Sequence, residues 1–284
     1  LYNHSNSVLC SFLMARSRYD WTTAKFERYV KEGRGKGRGK DYKPWITIQD
    51  FPSVGRASRS PGWKSNRTHH LMSDWESRLF YIFEWCQEVQ DIREQYPLLD
   101  LDLAMEIAKE MGIEYPVNRK SKTPYVLTTD FMLTVKQGEK PVQIARTFKT
   151  TKDLGKKRTI EKLELERRYW QKHNIDWAIV TEQEICKIFA SNIQWVHSDY
   201  YWKLSEEQNN ENCYYFSNIL KERLNSRKFK ISTIAATLDN DMGFEIGTSL
   251  SLFKHLVAQR EIIVDMFQSK IADRLAANII KEII

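Results

Sequence analysis

The sequence predicts a mixed α/β protein, in which a sheet flanked by helices is followed by a mainly helical C-terminal part. From Ser73 onward, the apolar pattern gives the order helix, strand, strand, strand, helix, strand, with one short helix inserted. Two of these strands lie in "YVLTTDFMLTVKQGEKPVQIARTFK", residues 125–149, on either side of a turn near Gly138. Beyond about residues 182–190 the sequence lacks comparable strands and becomes richer in Asn, Glu and Tyr.

The N-terminal elements are a helix and a basic loop. "TTAKFERYVKEG" predicts a helix from about Thr22 to Glu32 that Gly33 ends. In the following "GRGKGRGKDYKPW", alternating glycines are expected to keep the backbone mobile while the cations contact DNA phosphates. The alternative is a solvated basic loop. The candidate DNA-binding residues are Arg34, Lys36, Arg38, Lys40 and Lys43, and Arg56, Arg59, Lys64 and Arg67 extend the basic stretch.

The central elements follow from apolar spacing and from the residues that end each segment. "SDWESRLFYIFEW" predicts a helix, "VQDIREQYPL" a strand closed by Pro97, and "DLAMEIAKEMG" a short helix ended by Gly112. After the two strands of residues 125–149, "KKRTIEKLELERRYWQKHN" predicts a long charged helix and "DWAIVT" a short buried strand.

The C-terminal segment "ISTIAATLDNDMGFEIGTSLSLFKHLVAQREIIVDMF" predicts a helix, a glycine-marked turn, a second helix and an extended stretch. This order is typical of a helix-turn-helix with a wing, although any small helical domain has a similar pattern. Four aromatic residues, Trp195, Tyr200, Tyr201 and Trp202, are expected in the core rather than on a partner surface.

Length and composition bound the class of protein. At 284 residues we expect two domains, over residues 16–183 and 184–284, after a disordered or mis-started leader at 1–15. No run of 18 apolar residues occurs, so no membrane span is expected. The net charge of +7 favours a polyanionic partner. Scattered cysteines argue against disulfides or zinc and favour the cytoplasm; they are Cys10, Cys86, Cys186 and Cys213.

The lone Asp130 in the first strand of residues 125–149 is the strongest sign of chemistry. If the hairpin turns at residues 138–139, Asp130 lies roughly opposite Thr147, with Lys149 as its diagonal neighbour. A one-residue slip would reverse the facing. The alternatives are a strand-end aspartate and a surface lysine.

An acid beside a lysine suits phosphodiester hydrolysis, because a carboxylate can hold a hard divalent cation and an ammonium group can stabilise the transition state. Glu76 is the candidate for the further carboxylate that such a site needs. Its alternative is structural, since Ser73-Asp74-Trp75-Glu76 also fits a helix capping box.

Several blocks of sequence resemble the TnsA family, the endonuclease subunits of Tn-seven-like bacterial transposons. The resemblance extends over about residues 16–200, and it is looser beyond them. The blocks occur in the family's order and are "KEGRGKGRGKDYKPWITIQDFPS", "HHLMSDWE", "DIREQYPLL", "TTDF" and "RTIEKLELERRYW".

The resemblance implies a restriction-endonuclease-like N-terminal domain and a winged-helix-like C-terminal domain that binds DNA or a partner. It implies a Mg²⁺-dependent DNA endonuclease, with Mn²⁺ as a substitute, that cuts the 5′ strands at transposon ends. The implied partners are a TnsB-type transposase, which cuts and joins the 3′ ends, and a TnsC-type ATPase. The implied location is the bacterial nucleoid.

The family's catalytic residues correspond to Glu76, Asp130 and Lys149, with Glu76 and Asp130 as metal ligands. A further family carboxylate corresponds to Glu166, whose alternative is a solvated helix face. The chain departs from the restriction-type pattern, which ends (Asp/Glu/Gln)-x-Lys, because it has Thr147-Phe148-Lys149. Threonine is a doubtful metal ligand, so we expect the Phe148 carbonyl to take that place.

Two other functions stay open at this stage. One is a non-catalytic module that binds DNA and bridges transposase subunits, which the threonine departure favours. The other is a stand-alone restriction or repair nuclease, which would cut DNA without a partner.

Overall fold

The structure, a computed structural model, describes residues 20–50, 56–138, 140–203 and 210–284. The predicted leader at 1–15 and position 139 of the predicted turn lie outside the described residues. The chain forms two compact units, one made of the segments up to Glu76 and Glu88–Val180, the other of Ser77–Gln87 and Thr181–Ile284. The domain boundary at 183/184 stays a prediction.

The first unit is built on a mixed four-stranded sheet of order β3-β4-β5-β6. Strands β3, β4 and β5 pair antiparallel, and β6 pairs parallel to β5 because a helix crosses between them. The strands are β1 (Ser58–Pro61), β2 (Thr68–Leu71), β3 (Val89–Pro97), β4 (Thr128–Gln137), β5 (Lys140–Phe148) and β6 (Asp176–Val180). The helices are α1 (Thr23–Lys31), the start of α2 (Asp74–Trp85), α3 (Leu101–Glu110), α4 (Thr151–Leu154) and α5 (Lys157–Lys172).

The core of this unit lies where α3 and α5 pack on the sheet. Apolar residues three and four apart on each helix point to the strands, as an amphipathic helix requires. The buried cluster includes Ala104, Ile107, Met132, Ala145, Leu165, Tyr169 and Trp170. The predicted mixed sheet with packed helices is therefore confirmed.

The glycine-rich loop is ordered, so the prediction of a mobile backbone was wrong. Its alternating glycines supply positive φ angles, which L-residues rarely adopt. A Cβ on Gly35 would lie 2.3 Å from Pro97 Cγ, and one on Gly37 would lie 2.4 Å from the Asp41 carbonyl oxygen. The Gly35 N–H donates to the Lys43 carbonyl at 2.6 Å. The glycines fold the loop tightly against the end of β3.

The hairpin of β1 and β2 was not predicted, because "SRSP" and "THHL" have no apolar alternation. Buried polar contacts hold it instead. The Glu94 carboxylate on β3 is fully buried and accepts hydrogen bonds from Arg67, His69 and the His70 N–H. The Arg67 side chain also donates to the Ile92 carbonyl at 2.9 Å. These contacts fix the segment that leads directly into α2.

The second unit is mainly helical, as predicted. It contains the rest of α2 and a two-stranded antiparallel sheet of β7 and β8. Its elements are α6 (Lys187–His197), α7 (Asn210–Asn225), α8 (Ile231–Met242), α9 (Thr248–Ala258), β7 (Ile262–Val264), α10 (Ala276–Ile279) and β8 (Ile280–Ile283). The predicted order of helix, turn, helix and extended segment corresponds to α8, α9 and β7. The winged-helix interpretation stays a prediction.

Helix α9 has no exposed residue, which distinguishes it from a helix that enters a DNA groove. Lys254 on α9 donates to Asp199 at 2.9 Å and lies over the Trp195 ring. His255 contacts the Asp199 carbonyl through Nδ1 at 3.0 Å. The cationic side chain of this helix is therefore occupied within the unit.

The four C-terminal aromatic residues differ in burial. Trp195, Tyr200 and Trp202 are half-buried, whereas Tyr201 is 60% exposed. The core prediction was therefore wrong for Tyr201. Within the described part of the chain, no helix is both long and apolar enough to span a bilayer.

The turn between α8 and α9 depends on Asp239, which is 3% exposed and accepts from the Gly247 and Ser249 N–H groups at 2.8 and 2.7 Å. Asp239→Ala should lower the free energy of unfolding by about 1–3 kcal/mol, because two N–H groups at the start of α9 lose their acceptor. Urea denaturation checks the loss, and hydrogen exchange at the two amides locates it.

Asp241→Ala is the matched control, since this carboxylate is 51% exposed and forms an ion pair with Arg223. It should change the free energy of unfolding by less than about 1 kcal/mol. Equal effects of the two substitutions would contradict the capping role of Asp239.

Candidate active site

Strands β4 and β5 bring Asp130 and Lys149 together. Their pairing ends at Phe131 opposite Arg146, so the next step along the ladder places Asp130 opposite Thr147, as the predicted register requires. Asp130 Oδ2 accepts from the Phe148 N–H at 2.8 Å and lies 3.5 Å from Lys149 Nζ. The predicted acid–lysine pair is therefore present at the end of the hairpin.

Lys149 is held charged at this place. Its Nζ donates to the Phe148 carbonyl at 2.7 Å. Burial by itself lowers the pKa of Lys149, but attraction to Asp130, Glu166 and Glu76 outweighs burial and raises the pKa above its usual value. A fixed ammonium group therefore stands beside the carboxylate.

Glu76 lies at the start of α2, where both sequence interpretations apply at once. Its N–H donates to Ser73 Oγ at 3.1 Å, and its carboxylate accepts from Ser73 Oγ at 3.0 Å and the Met72 N–H at 2.9 Å. Burial, and then the charge of Asp130, raise the pKa of Glu76 to about 7. The capping contacts therefore hold a carboxylate close enough to Asp130 to be repelled by it.

Glu166 on α5 is buried, so the interpretation as a solvated helix face was wrong. Its Oε1 accepts from the Thr147 hydroxyl at 2.5 Å, the Thr129 hydroxyl at 2.7 Å and the Trp177 indole N–H at 2.8 Å. Burial raises the pKa of Glu166 to about 7 despite these donors. Thr147 is itself buried, and its hydroxyl is directed to Glu166.

Gln95 on β3 contacts the site but was not predicted. Its Nε2 donates to Glu76 Oε2 at 3.4 Å, and its Oε1 accepts from the Thr128 hydroxyl at 3.0 Å. Its φ of 49° lies in the left-handed region. Nothing in "DIREQYPLL" indicates this conformation or contact, because a glutamine inside a strand is usually a surface residue.

The side chains present fit a hard divalent cation. The acidic pair of Glu76 and Asp130, with the carbonyl of Phe148 next to it, supplies oxygen donors of the kind that Mg²⁺ prefers. Since burial and repulsion from Asp130 penalise the ionised form of Glu76, a cation bound between the two acids would relieve that penalty. Among the described residues, no three acidic, histidine or cysteine side chains are grouped to hold a metal, so the third ligand would come from the backbone or water.

A cavity of about 360 Å³ lies beside the site, between the end of β5 and the start of α5. Its lining includes Lys149, Arg158, Lys162 and Glu166. Burial, followed by repulsion from Arg158 and Lys149, lowers the pKa of Lys162. The carboxylate of Asp153 also lines the cavity, but the three cations outnumber the two acids, and a net positive lining favours an anion such as a backbone phosphate.

The five predicted DNA-binding residues separate into two groups. Arg34 is mostly buried, donates to Glu32 and Asp50 at 2.7 Å each, and stacks 3.6 Å from the Tyr29 ring centroid. Its guanidinium group is therefore occupied in the fold. The side chains of Lys36, Arg38, Lys40 and Lys43 belong to exposed residues of the loop.

Comparisons with known proteins agree with this architecture. Residues 86–182 match the family model "TnsA-like endonuclease N terminal", and residues 184–266 match "TnsA endonuclease C terminal". The chain is similar to the transposon Tn7 transposition protein TnsA of Escherichia coli, with 38% identity over 274 residues, covering 95% of this chain and 96% of that protein. The first match contains Asp130, Lys149 and Glu166 but begins after Glu76, whose place in the site rests on geometry.

The raised pKa values predict how stability depends on pH. Glu76 and Glu166 titrate near 7 in the folded protein and near 4.5 when unfolded. Between these values the folded state keeps protons that the unfolded state loses. Without metal, the free energy of unfolding should therefore fall as pH rises from about 4.5 to about 7, by about 1.4 kcal/mol per pH unit for each carboxyl.

Urea denaturation in a chelating buffer at several pH values checks this slope. Glu76→Gln and Glu166→Gln should each make it shallower. Glu164→Gln is the control on the helix of Glu166. Hydrogen bonds from Arg167 lower the pKa of Glu164 to about 2, so its titration lies outside this pH range. An unchanged slope in both test variants would contradict the assigned environments.

Proposed function

The chain belongs to the TnsA endonuclease family, and on that premise we propose that it cuts the 5′ strands at the ends of a transposon with bound Mg²⁺. Family membership makes it a DNA endonuclease of a transposition system. The observation that carries the strand-cutting proposal is the placement of Asp130 and Lys149 at the end of one hairpin, with the Glu76 carboxylate beside them. Mn²⁺ has the same preference for oxygen ligands and is expected to substitute.

In the proposed mechanism, Glu76, Asp130 and the Phe148 carbonyl would hold a divalent cation. When bound, such a cation would activate a water and offset charge on the scissile phosphate. Lys149 stands next to Asp130 and stabilises the negative charge that builds on the phosphate, as a fixed cation does best in a buried site. Glu166 orders Thr147 and adds to the field that keeps Lys149 charged.

The DNA backbone is proposed to contact the ordered basic loop through Lys36, Arg38, Lys40 and Lys43. Arg34 is left out, since its guanidinium group is committed to Glu32 and Asp50. Because α9 has no exposed residue, the selection of the transposon end is assigned to a TnsB-type transposase. A TnsC-type ATPase is the proposed regulator of the assembled complex.

A second candidate is a module that bridges transposase subunits without cutting. The contact that favours it is the Thr147 hydroxyl bonded to Glu166, which leaves the metal shell one side-chain ligand short of the restriction-type pattern. Isothermal titration with Mg²⁺ separates the two functions. A nuclease should bind the ion through Asp130, whereas a bridging module should show no Asp130-dependent binding.

Asp130→Asn should abolish cutting, because asparagine can still accept from the Phe148 N–H but lacks the charge that holds the cation. Lys149→Ala should slow cutting by about 10²- to 10³-fold, the usual loss when one transition-state contact is removed. The assay uses end-bearing DNA labelled on one strand, a TnsB-type partner and Mg²⁺, with a chelator as the metal-free arm.

The matched controls are the substitutions Asp102→Asn and Lys152→Ala at exposed residues. Both variants should cut DNA at the normal rate. Normal 5′-strand cutting by Asp130→Asn would refute the proposed site. Rapid cutting of any DNA by the isolated protein would favour a stand-alone nuclease.

The loop proposal predicts a change in the salt dependence of DNA binding. Replacing Lys36 and Lys40 with glutamine should weaken binding to any duplex and reduce the slope of log affinity against log salt by about 1 for each lysine. Fluorescence anisotropy over a range of salt concentrations measures the slope. Lys109→Gln on α3 is the control, and an unchanged slope in the loop variant would exclude the loop from the DNA path.

A further inference from the structure

Strand β3 keeps its register with β4 where it faces the site, but one of its residues departs from extended geometry. Its pairing with β4 joins Glu94 to Phe131 and Tyr96 to Thr129, and the residue between them, Gln95, has no partner in the ladder. By count, Gln95 stands opposite Asp130. The φ of 49° places Gln95 in the left-handed region, although Glu94 and Tyr96 on either side of it stay in register with β4.

A left-handed conformation is unfavourable for glutamine, and glycine or asparagine would adopt it more readily. Such strain persists only where surrounding contacts impose it. Here the Gln95 carbonyl accepts a hydrogen bond from the Trp45 N–H at 3.2 Å, and the residue is only 5% exposed. The backbone therefore directs a buried amide to one place.

The amide is oriented by its two partners. An ionised carboxylate only accepts hydrogen bonds, so the Nε2 of Gln95 must face Glu76 and the Oε1 is left for the Thr128 hydroxyl. Thr128 lies on β4, two residues before Asp130. Gln95 thereby links the strand of one site carboxylate to the other carboxylate, which is on a helix.

We propose that Gln95 is a positioning residue, whose left-handed backbone and buried amide hold the Glu76 carboxylate in register with Asp130 for metal binding. The inference rests on the proposed function. The capping contacts from Met72 and Ser73 hold Glu76 from its own segment, and the Gln95 amide contacts it from the sheet. Loss of this contact should loosen the metal site without unfolding the protein.

The test compares stability with metal affinity in two variants. Gln95→Gly fits the left-handed backbone and removes the amide, so relief of backbone strain should offset much of the stability lost with the buried side chain, and the metal-free protein should stay folded. Its Mg²⁺ dissociation constant should rise by about 10- to 100-fold, the usual loss when a group supporting a metal ligand is removed. A residue that serves packing alone would instead lose stability and leave the affinity unchanged.

Gln95→Met keeps the length of the side chain and removes only the hydrogen bonds, so it decides the matter if the glycine variant is poorly folded. It should show the same rise in the Mg²⁺ dissociation constant, and raising Mg²⁺ should restore most of the cutting. Lys122→Gly is the matched control, since Lys122 is an exposed residue with a φ of 58° in a loop. It should bind Mg²⁺ normally.

Unchanged Mg²⁺ affinity in both Gln95 variants would overturn the inference, even if the unmodified protein cuts DNA as proposed. Unmodified protein that binds Mg²⁺ through Asp130 yet cuts no strand would contradict the proposed function instead, and the affinities of the Gln95 variants would still decide the role of Gln95. Absence of any Asp130-dependent Mg²⁺ binding would overturn both.

Discussion

The close approach of acidic groups in a buried place is the constraint on which the rest of the structure depends. Glu76, Asp130 and Glu166 come from a helix, a strand and a second helix, and burial penalises the ionised forms of Glu76 and Glu166 in the metal-free fold. Each is held by hydrogen-bond donors from its surroundings, and Lys149 provides the nearby positive charge. The sheet, the hairpin and the cap at Ser73 hold these carboxylates in place.

Thr147 shows how a departure from a familiar pattern is accommodated. A carboxylate at this position would face Glu166 directly and add a further repulsion. Threonine instead donates a hydrogen bond to Glu166 Oε1, and Thr129 and Trp177 donate hydrogen bonds to the same oxygen. The substitution therefore exchanges a ligand for a hydrogen bond that makes the buried Glu166 less unfavourable, and it leaves the Asp130–Lys149 pair intact.

Much of this arrangement is predictable from sequence because it depends on short-range rules. The turn at Gly138 and the period of two set the register that places Asp130 opposite Thr147. The basic loop was predicted to be mobile, but its glycines are required because a side chain there would clash with the Pro97 ring or the Asp41 carbonyl. The spacing of glycines in the sequence does not reveal these contacts. The role of Gln95 was not predicted for a related reason. A left-handed residue inside a strand is imposed by tertiary contacts, which leave no periodic signal.

Charge balance explains why a nuclease on this framework needs a divalent cation. With Glu76, Asp130 and Glu166 all ionised, the single ammonium group of Lys149 would leave the site with two net negative charges, and a phosphodiester brings another. The net charge of +7 and the exposed lysines of the loop attract DNA to the protein, but long-range attraction is screened within about 10 Å and does not cancel repulsion at contact. In the proposed site, a divalent cation held by Glu76 and Asp130 would offset most of this negative charge, and the placement of those two side chains would decide how tightly the cation is held.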